Sequence, residues 1–142
     1  MFAIRRAHQV GSAIFSSHLA EHNLTSAQYF VMCVLQNLRS TSQNELGRLA
    51  HMDRCTISMV VRNLKTRKIV GVRPDLHDGR KAVIELTAQG RELLGDAMRL
   101  SARAHWALFS VLTDAERRQL MRTLKKLVGA HAAQFPAERL AW

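Results

Sequence analysis

Proline is almost missing from this chain, with two residues in 142. Repeats and low-complexity stretches are absent, so little interrupts helix formation along most of the length. Cysteine is equally scarce. Cys33 and Cys55 fall in different expected helices, which argues against a disulfide scaffold and for two thiols in a reducing compartment. No run approaches the ~20 apolar residues that a membrane-spanning helix needs. The opening Met1-Phe2-Ala3-Ile4-Arg5-Arg6 has no uninterrupted apolar core after its arginines, unlike a secretory signal. A cytoplasmic protein without a membrane partner is expected. No nucleophile–base pair, phosphate-cradling glycine loop or Cys-rich metal framework occurs, so neither an enzyme nor a cofactor is expected. Acidic residues are few: 11 Asp and Glu stand against 21 Lys and Arg, a net charge of +10. A small chain with that surplus attracts polyanions.

What is present is helical periodicity, broken once. A loose apolar stripe (Ile4, Ala7, Gly11, Ile14, Phe15, Leu19) predicts a first helix to about His22. Thr25-x-x-Gln28 is a capping box opening a second helix to about Leu38, whose Val31, Met32, Val34, Leu35 and Leu38 should be buried. Ser42-x-x-Glu45 opens a short helix with Leu46, Leu49 and Ala50 inward. Asp53 caps the next, to about Arg67, with Ile57, Val60, Val61 and Leu64 inward. Its other face carries Arg54, Cys55, Ser58, Met59 and Arg62. The period then changes. Residues 69–73 and 81–86 are rich in β-branched side chains and read as a hairpin around the polar turn 74–80. Thr87 caps a long helix to about Leu112, and Thr113-x-x-Glu116 opens the last, to about Ala132, with Leu120, Leu124, Leu127 and Val128 as its stripe.

The fold expected is therefore mainly α with a small β-hairpin wing, a winged helix-turn-helix inside a frame of long helices. Residues 1–142 make one domain. Residues 24–87 form the DNA-binding lobe, and residues 1–22 and 88–142 form helices whose unpartnered stripes suit a homodimer.

The stretch from Leu24 to Leu94 resembles the MarR family of winged helix-turn-helix regulators. The carrying residues are Leu24-Thr25-x-x-Gln28-Tyr29, Gln43-x-Glu45-Leu46, Asp53-Arg54-x-Thr56-Ile57-Ser58, Arg73-Pro74-Asp75-x-x-Asp78-x-Arg80 and Leu86-Thr87-x-x-Gly90. The resemblance implies a dimer joined through the first and last helices, with a recognition helix from about Arg54 to Arg67. It also implies a wing whose Arg80 enters the minor groove, oriented by Asp78. Lys68 stands where the family has a turn-forming glycine, Gly71 where a polar or basic residue is usual, and Gly79 where arginine is frequent.

Between Ser42 and Lys81 lie nine Lys and Arg and four acids, leaving +5, half the net charge. Phosphate neutralisation there supplies affinity, helped by Gln43 and Thr56 beside helix N-termini. Base reading falls to Arg54, Ser58 and Arg62, spaced i, i+4, i+8, with Cys55 and Met59 beside them. A two-fold dimer implies a pseudo-palindromic operator in double-stranded DNA. For Lys65, Arg67 and Lys68 a DNA contact and a merely solvated position weigh equally. The run Arg117, Arg118, Arg122, Lys125, Lys126 reads as a solvated face.

The family resemblance also implies a small aromatic carboxylate or phenolic effector. Arg5, Arg6 and His8, with Phe15 nearby, are the candidate ligand residues, and Arg5-Arg6-Ala7-His8-Gln9 with Ala13-Ile14-Phe15 resembles the nicotinate-catabolism repressors within the family. A repressor released by such a ligand is the leading expectation. A non-specific architectural DNA-binding protein, and a metal- or thiol-responsive regulator of the same fold, are the alternatives. His18-x-x-Glu21-His22 has inverted zinc-protease spacing, but it sits at a helix end and no metal site is expected.

Overall fold

A computed structural model describes residues 1–75, 78 and 82–131. Its helices are α1 (Phe2–Leu19), α2 (Ser26–Leu38), α3 (Gln43–Leu49), α4 (Arg54–Thr66), α5 (Ala88–Phe109) and α6 (Asp114–His131). Strands β1 (Ser40–Thr41), β2 (Val70–Pro74) and β3 (Ala82–Leu86) form one antiparallel sheet in the order β1-β3-β2. Among the described residues, no helix is long and apolar enough to cross a membrane.

Side-chain caps set most helix starts. Thr25 accepts from the Gln28 amide, and Gln28 Oε1 accepts from the Thr25 amide, so the first capping box closes. Thr113 and Glu116 close theirs in the same way. The middle box is half made. Ser42 Oγ accepts from the Glu45 amide, but the Glu45 carboxylate turns away to accept from the Arg48 guanidinium. The guanidinium offers a full positive charge and two donors where the Ser42 amide would offer one neutral donor, which explains the choice.

The first helix is shorter than its apolar stripe suggests. It gives way to a 3₁₀ turn over Ala20–His22, closed by Asn23 at φ 52°. Asparagine tolerates this left-handed conformation better than most side chains, and the chain reverses there. Three further expectations are corrected. Leu38 is exposed rather than buried, because the second helix ends beside it. Ile69 belongs to the buried turn before β2 rather than to the strand. The fifth helix stops at Phe109, three residues early. The third strand, β1, went unforeseen: two polar residues carry no period-2 signal, yet Ser40 and Thr41 pair with Glu85 and Ile84.

The core joins α2, α4, the sheet and the middle of α5, with Val31, Met32, Leu35, Ile57, Val61, Leu64, Ile84, Leu86, Leu94 and Ala97 inside it. Two backbone features bring the lobe against α5. Thr87, the α5 cap, donates its hydroxyl to the Lys68 carbonyl while its amide donates to the Ile69 carbonyl. One turn later Gly90 meets that same carbonyl, and a Cβ there would lie 2.1 Å from the Ile69 oxygen. Only hydrogen fits. At the preceding corner Lys68 holds φ 58°, a conformation that costs an L-residue about 1–2 kcal/mol and glycine none.

These two positions predict opposite outcomes. Gly90→Ala should lower the unfolding free energy by about 1–3 kcal/mol, the usual range for forced overpacking. Lys68→Gly should raise it by about 0.5–1 kcal/mol, once glycine's greater unfolded-state entropy is deducted. Urea titration of both variants checks the pair; equal signs would refute this account of the junction.

Candidate nucleic-acid interface

In α4 the sequence divides cleanly. Ile57, Val60, Val61 and Leu64 are buried, whereas Arg54, Cys55, Ser58, Met59 and Arg62 are exposed. Arg54, Ser58 and Arg62 rise along one side over two turns, and Met59 leaves 58% of its surface in solvent beside them. Among the described residues, the guanidinium of neither Arg54 nor Arg62 has an ion-pair or hydrogen-bond partner. Two unpaired guanidiniums flanking a hydroxyl and an exposed thioether are suited to bases and phosphates.

Asp53 starts this helix. Its Oδ1 accepts from the Thr56 amide at 2.8 Å, and its Oδ2 accepts from the Thr56 hydroxyl at 2.7 Å. These bonds from the Thr56 amide and hydroxyl hold the Asp53 carboxyl below its ordinary value. They also spend the single hydroxyl proton of Thr56, so its side chain serves the cap and cannot simultaneously donate to a phosphate. Gln43, the first residue of α3, is half-buried.

The hairpin stands beside α4. Arg73 donates to the Glu85 carboxylate across β2 and β3 at 2.9 Å, so this arginine is neutralised within the wing. Asp78 is half-buried, and its amide donates to Asp75 Oδ1. Arg80, the expected wing-tip residue, lies outside the described residues, as does Lys81.

Two structural contacts were not anticipated. Gln28, 7% exposed and the sole buried polar residue among those described, donates through Nε2 to Asn63 Oδ1 of α4 at 2.8 Å. Arg67, at the end of α4, donates to the backbone carbonyls of Asn23 and His22 at 2.8 and 3.0 Å. Contacts 35 and 45 residues apart leave no periodic trace in sequence.

The ligand candidates on α1 are less convergent. Arg5, Arg6 and His8 are all exposed, and Phe15 is half-buried about two turns beyond His8. Phe15 packs edge-on to Tyr29 with centroids 5.3 Å apart and stacks on Phe30 at 6.0 Å. The Tyr29 hydroxyl is pushed above its usual value by burial, opposed by the Ser101 side chain of α5. Thus Phe15 is a wall of an aromatic cluster, half-open at Phe30. A cleft of about 690 Å³ lies elsewhere, lined by Leu112, Glu116, Leu120 and Arg122 among others at the α5–α6 junction. It opens on an exposed apolar face, which makes it a poor container for a small acid in this single chain.

His18 donates through Nδ1–H to the Ile14 carbonyl at 2.8 Å, and among the described residues no three potential metal ligands cluster. Burial pushes the Cys33 thiol up, with Tyr29 beside it opposing the shift.

A helix-turn-helix with a following hairpin, its second helix presenting free cations, defines a winged helix-turn-helix DNA-binding protein. Comparison with known proteins narrows this class. The family described as transcriptional regulator SarA/Rot matches residues 13–97. The chain is 36% identical over 126 residues to the HTH-type transcriptional repressor NicR of Pseudomonas putida, covering 88% of this chain and 79% of that one. Among solved structures it is similar to Bordetella bronchiseptica BpsR, a protein whose DNA binding is regulated by 6-hydroxynicotinic acid. That likeness has a TM-score of 0.81 and 31% identity, over 89% of this chain and 90% of that one. A mutant of Escherichia coli MarR complexed with operator DNA shares the fold, with a TM-score of 0.82 and 23% identity over 89% and 91% of the two chains. The chain belongs to the MarR family of winged helix-turn-helix transcriptional regulators. It is a transcriptional repressor of the MarR type, and its relatives are regulators rather than enzymes.

The cap chemistry gives a pH test. Because the folded Asp53 carboxyl titrates below its ordinary value of 3.8, its contribution is present above that value and is lost as pH falls through the lower folded one. Asp53→Ala should therefore be less stable than wild type at pH 7, and the gap should close below pH 3.8. A gap independent of pH would show that the carboxylate is not what stabilises the helix start. The two thiols should also part company at pH 8. Exposed Cys55 should react with iodoacetamide at least several-fold faster than Cys33, as mass spectrometry of a timed series would show.

Proposed function

We propose that this chain acts as a homodimer that represses transcription by binding a pseudo-palindromic operator through α4, and that a small aromatic carboxylate releases it. The observation that carries the reading is the unpartnered cationic face of α4. Its opposite face is fully committed to the core, so the helix has one way to lie and one surface to offer. Arg54, Ser58, Met59 and Arg62 read bases, with Cys55 at their edge. Gln43 and Asp78 support phosphate and wing contacts, and Arg80 takes the minor groove. Thr56 keeps the helix start in shape. Residues 24–87 act as the DNA-binding lobe and residues 1–22 and 88–142 as the dimer frame of a cytoplasmic regulator.

The dimer is supported by what the single chain leaves uncovered. Phe2, Ile4, Trp106, Val111, Leu120, Leu124, Leu127 and Val128 are all exposed, and Trp106 retains 70% of its surface. They lie on α1, α5 and α6, with Val111 in the turn between the last two. Patches of this kind mark interfaces, and a second copy would also close the cleft at the α5–α6 junction.

The effector is supported by likeness to BpsR and by the aromatic cluster. Phe15, Tyr29 and Phe30 offer ring surface, and His8, Arg5 and Arg6 on the same helix as Phe15 offer charge for a carboxylate. 6-Hydroxynicotinate is the first compound to try.

Selection of bound duplexes from a random pool tests the operator. An enriched palindrome with half-sites roughly 10 bp apart supports the reading, whereas recovery of unenriched DNA favours an architectural protein. On the enriched duplex, Arg54→Ala and Arg62→Ala should each cost about 1–3 kcal/mol. Titrating 6-hydroxynicotinate and benzoates into that complex should weaken it by at least tenfold, and His8→Ala should blunt the response. A complex indifferent to all of them would remove the ligand from the reading and leave the DNA part standing.

A further inference from the structure

We infer that Arg67 and Asn63 are positioning residues for DNA recognition, together forming a two-point clamp that restrains the orientation of α4 against α1 and α2. The inference rests on the reading of α4 as the helix that meets DNA. It also removes Arg67 from the phosphate contacts that its place in a basic lobe suggests.

The first point of the clamp is at the end of α4. The 3₁₀ turn after α1 ends with Asn23 in the left-handed conformation, and the His22 and Asn23 carbonyls accept from both terminal nitrogens of Arg67. Carbonyls at a helix end lack intrahelical donors and carry partial negative charge. A planar guanidinium satisfies two at once, which an ammonium cannot do with the same geometry. Swinging Arg67 out to a phosphate would break both bonds and leave the carbonyls to water.

The second point is one turn earlier on α4. Gln28 holds the α2 capping box with Oε1 and reaches Asn63 with Nε2. Its amide is buried, so loss of Asn63 leaves a donor unmade in the core, where such omissions are costly. The two points fall on different segments, the turn before α2 and the first turn of α2, and they engage α4 and its C-cap at positions four residues apart. The buried stripe sets how α4 lies. The two points restrain what tilt and slide that packing still permits, and base readout is sensitive to both.

Neither group lies on the readout face, so the clamp and a direct phosphate contact give different signatures. The probes are a mixed-sequence 30-bp duplex and the duplex enriched by selection, each measured across a salt series at a temperature where circular dichroism shows the variant folded. Removing a side chain that neutralises one phosphate should flatten the plot of log affinity against log salt by about 0.9. Arg54→Ala serves as the positive control for that change. Arg67→Met should leave the slope on mixed-sequence DNA as in wild type, while lowering the preference for the enriched duplex by about tenfold. Asn63→Ala removes an exposed side chain and is the variant to use if Arg67→Met fails to fold; it should lower the preference similarly. Arg67→Lys should recover part of it.

A slope flattened by about 0.9 in Arg67→Met would overturn the clamp and make Arg67 a phosphate-binding residue. An unchanged preference with only a lowered melting temperature in both variants would also overturn it, reducing the three bonds to general stabilisation. If selection enriches no sequence, the operator reading fails separately, and the salt slope still decides the role of Arg67.

Discussion

Burial of the α4 stripe is the constraint from which the rest of the molecule follows. A 13-residue helix bearing two arginines, two polar residues and an exposed methionine on one face has little stability of its own in water. Ile57, Val60, Val61 and Leu64 supply it by entering the core shared with α2 and the sheet. Each such side chain gains roughly 1.5–3 kcal/mol on full burial. That commitment decides which residues remain outside. The cationic face left exposed on α4 is therefore a by-product of packing, and changing the buried face would rotate the exposed one.

The junction between lobe and frame obeys a second, harder restriction. Lys68, Ile69, Thr87 and Gly90 meet through their backbones, with the Ile69 carbonyl facing both the Thr87 amide and the open side of Gly90. Side-chain packing tolerates exchange of one apolar residue for another, but a backbone held this close does not. The sheet is thereby tied to α5 through backbone, whereas the end of α4 is tied to the turn after α1 through the Arg67 side chain.

Much of this was legible in advance because local rules dominate. Three capping boxes, the 3.6-residue stripes and the switch to β-branched residues after Lys68 located the helices and the hairpin to within a few residues. The inward and outward faces of α4 follow the sequence pattern at every residue named. What escaped had a common physical cause. β1 exists only because β3 offers it an edge, the Glu45 carboxylate preferred a cation over a neutral amide, and Arg67 and Gln28 answer to partners far away in the chain. On α1, charge density suggested a site at Arg5, Arg6 and His8, yet in one chain these groups face solvent and do not converge with Phe15. An aromatic cluster assembled from α1 and α2 is a tertiary feature, and Tyr29 and Phe30 gave no sign of it beyond their place in a capped helix.

Among the described residues, helix α6 makes no extensive contact with any other element, and its leucines stand in solvent. A segment in that condition opens readily and is a substrate for proteases until something covers it. With a second copy as the cover, surviving protein scales with pairing, and pairing with roughly the square of the amount synthesised. Cells making few chains would then hold disproportionately little repressor, so modest changes in expression become larger changes in the occupancy of its operator.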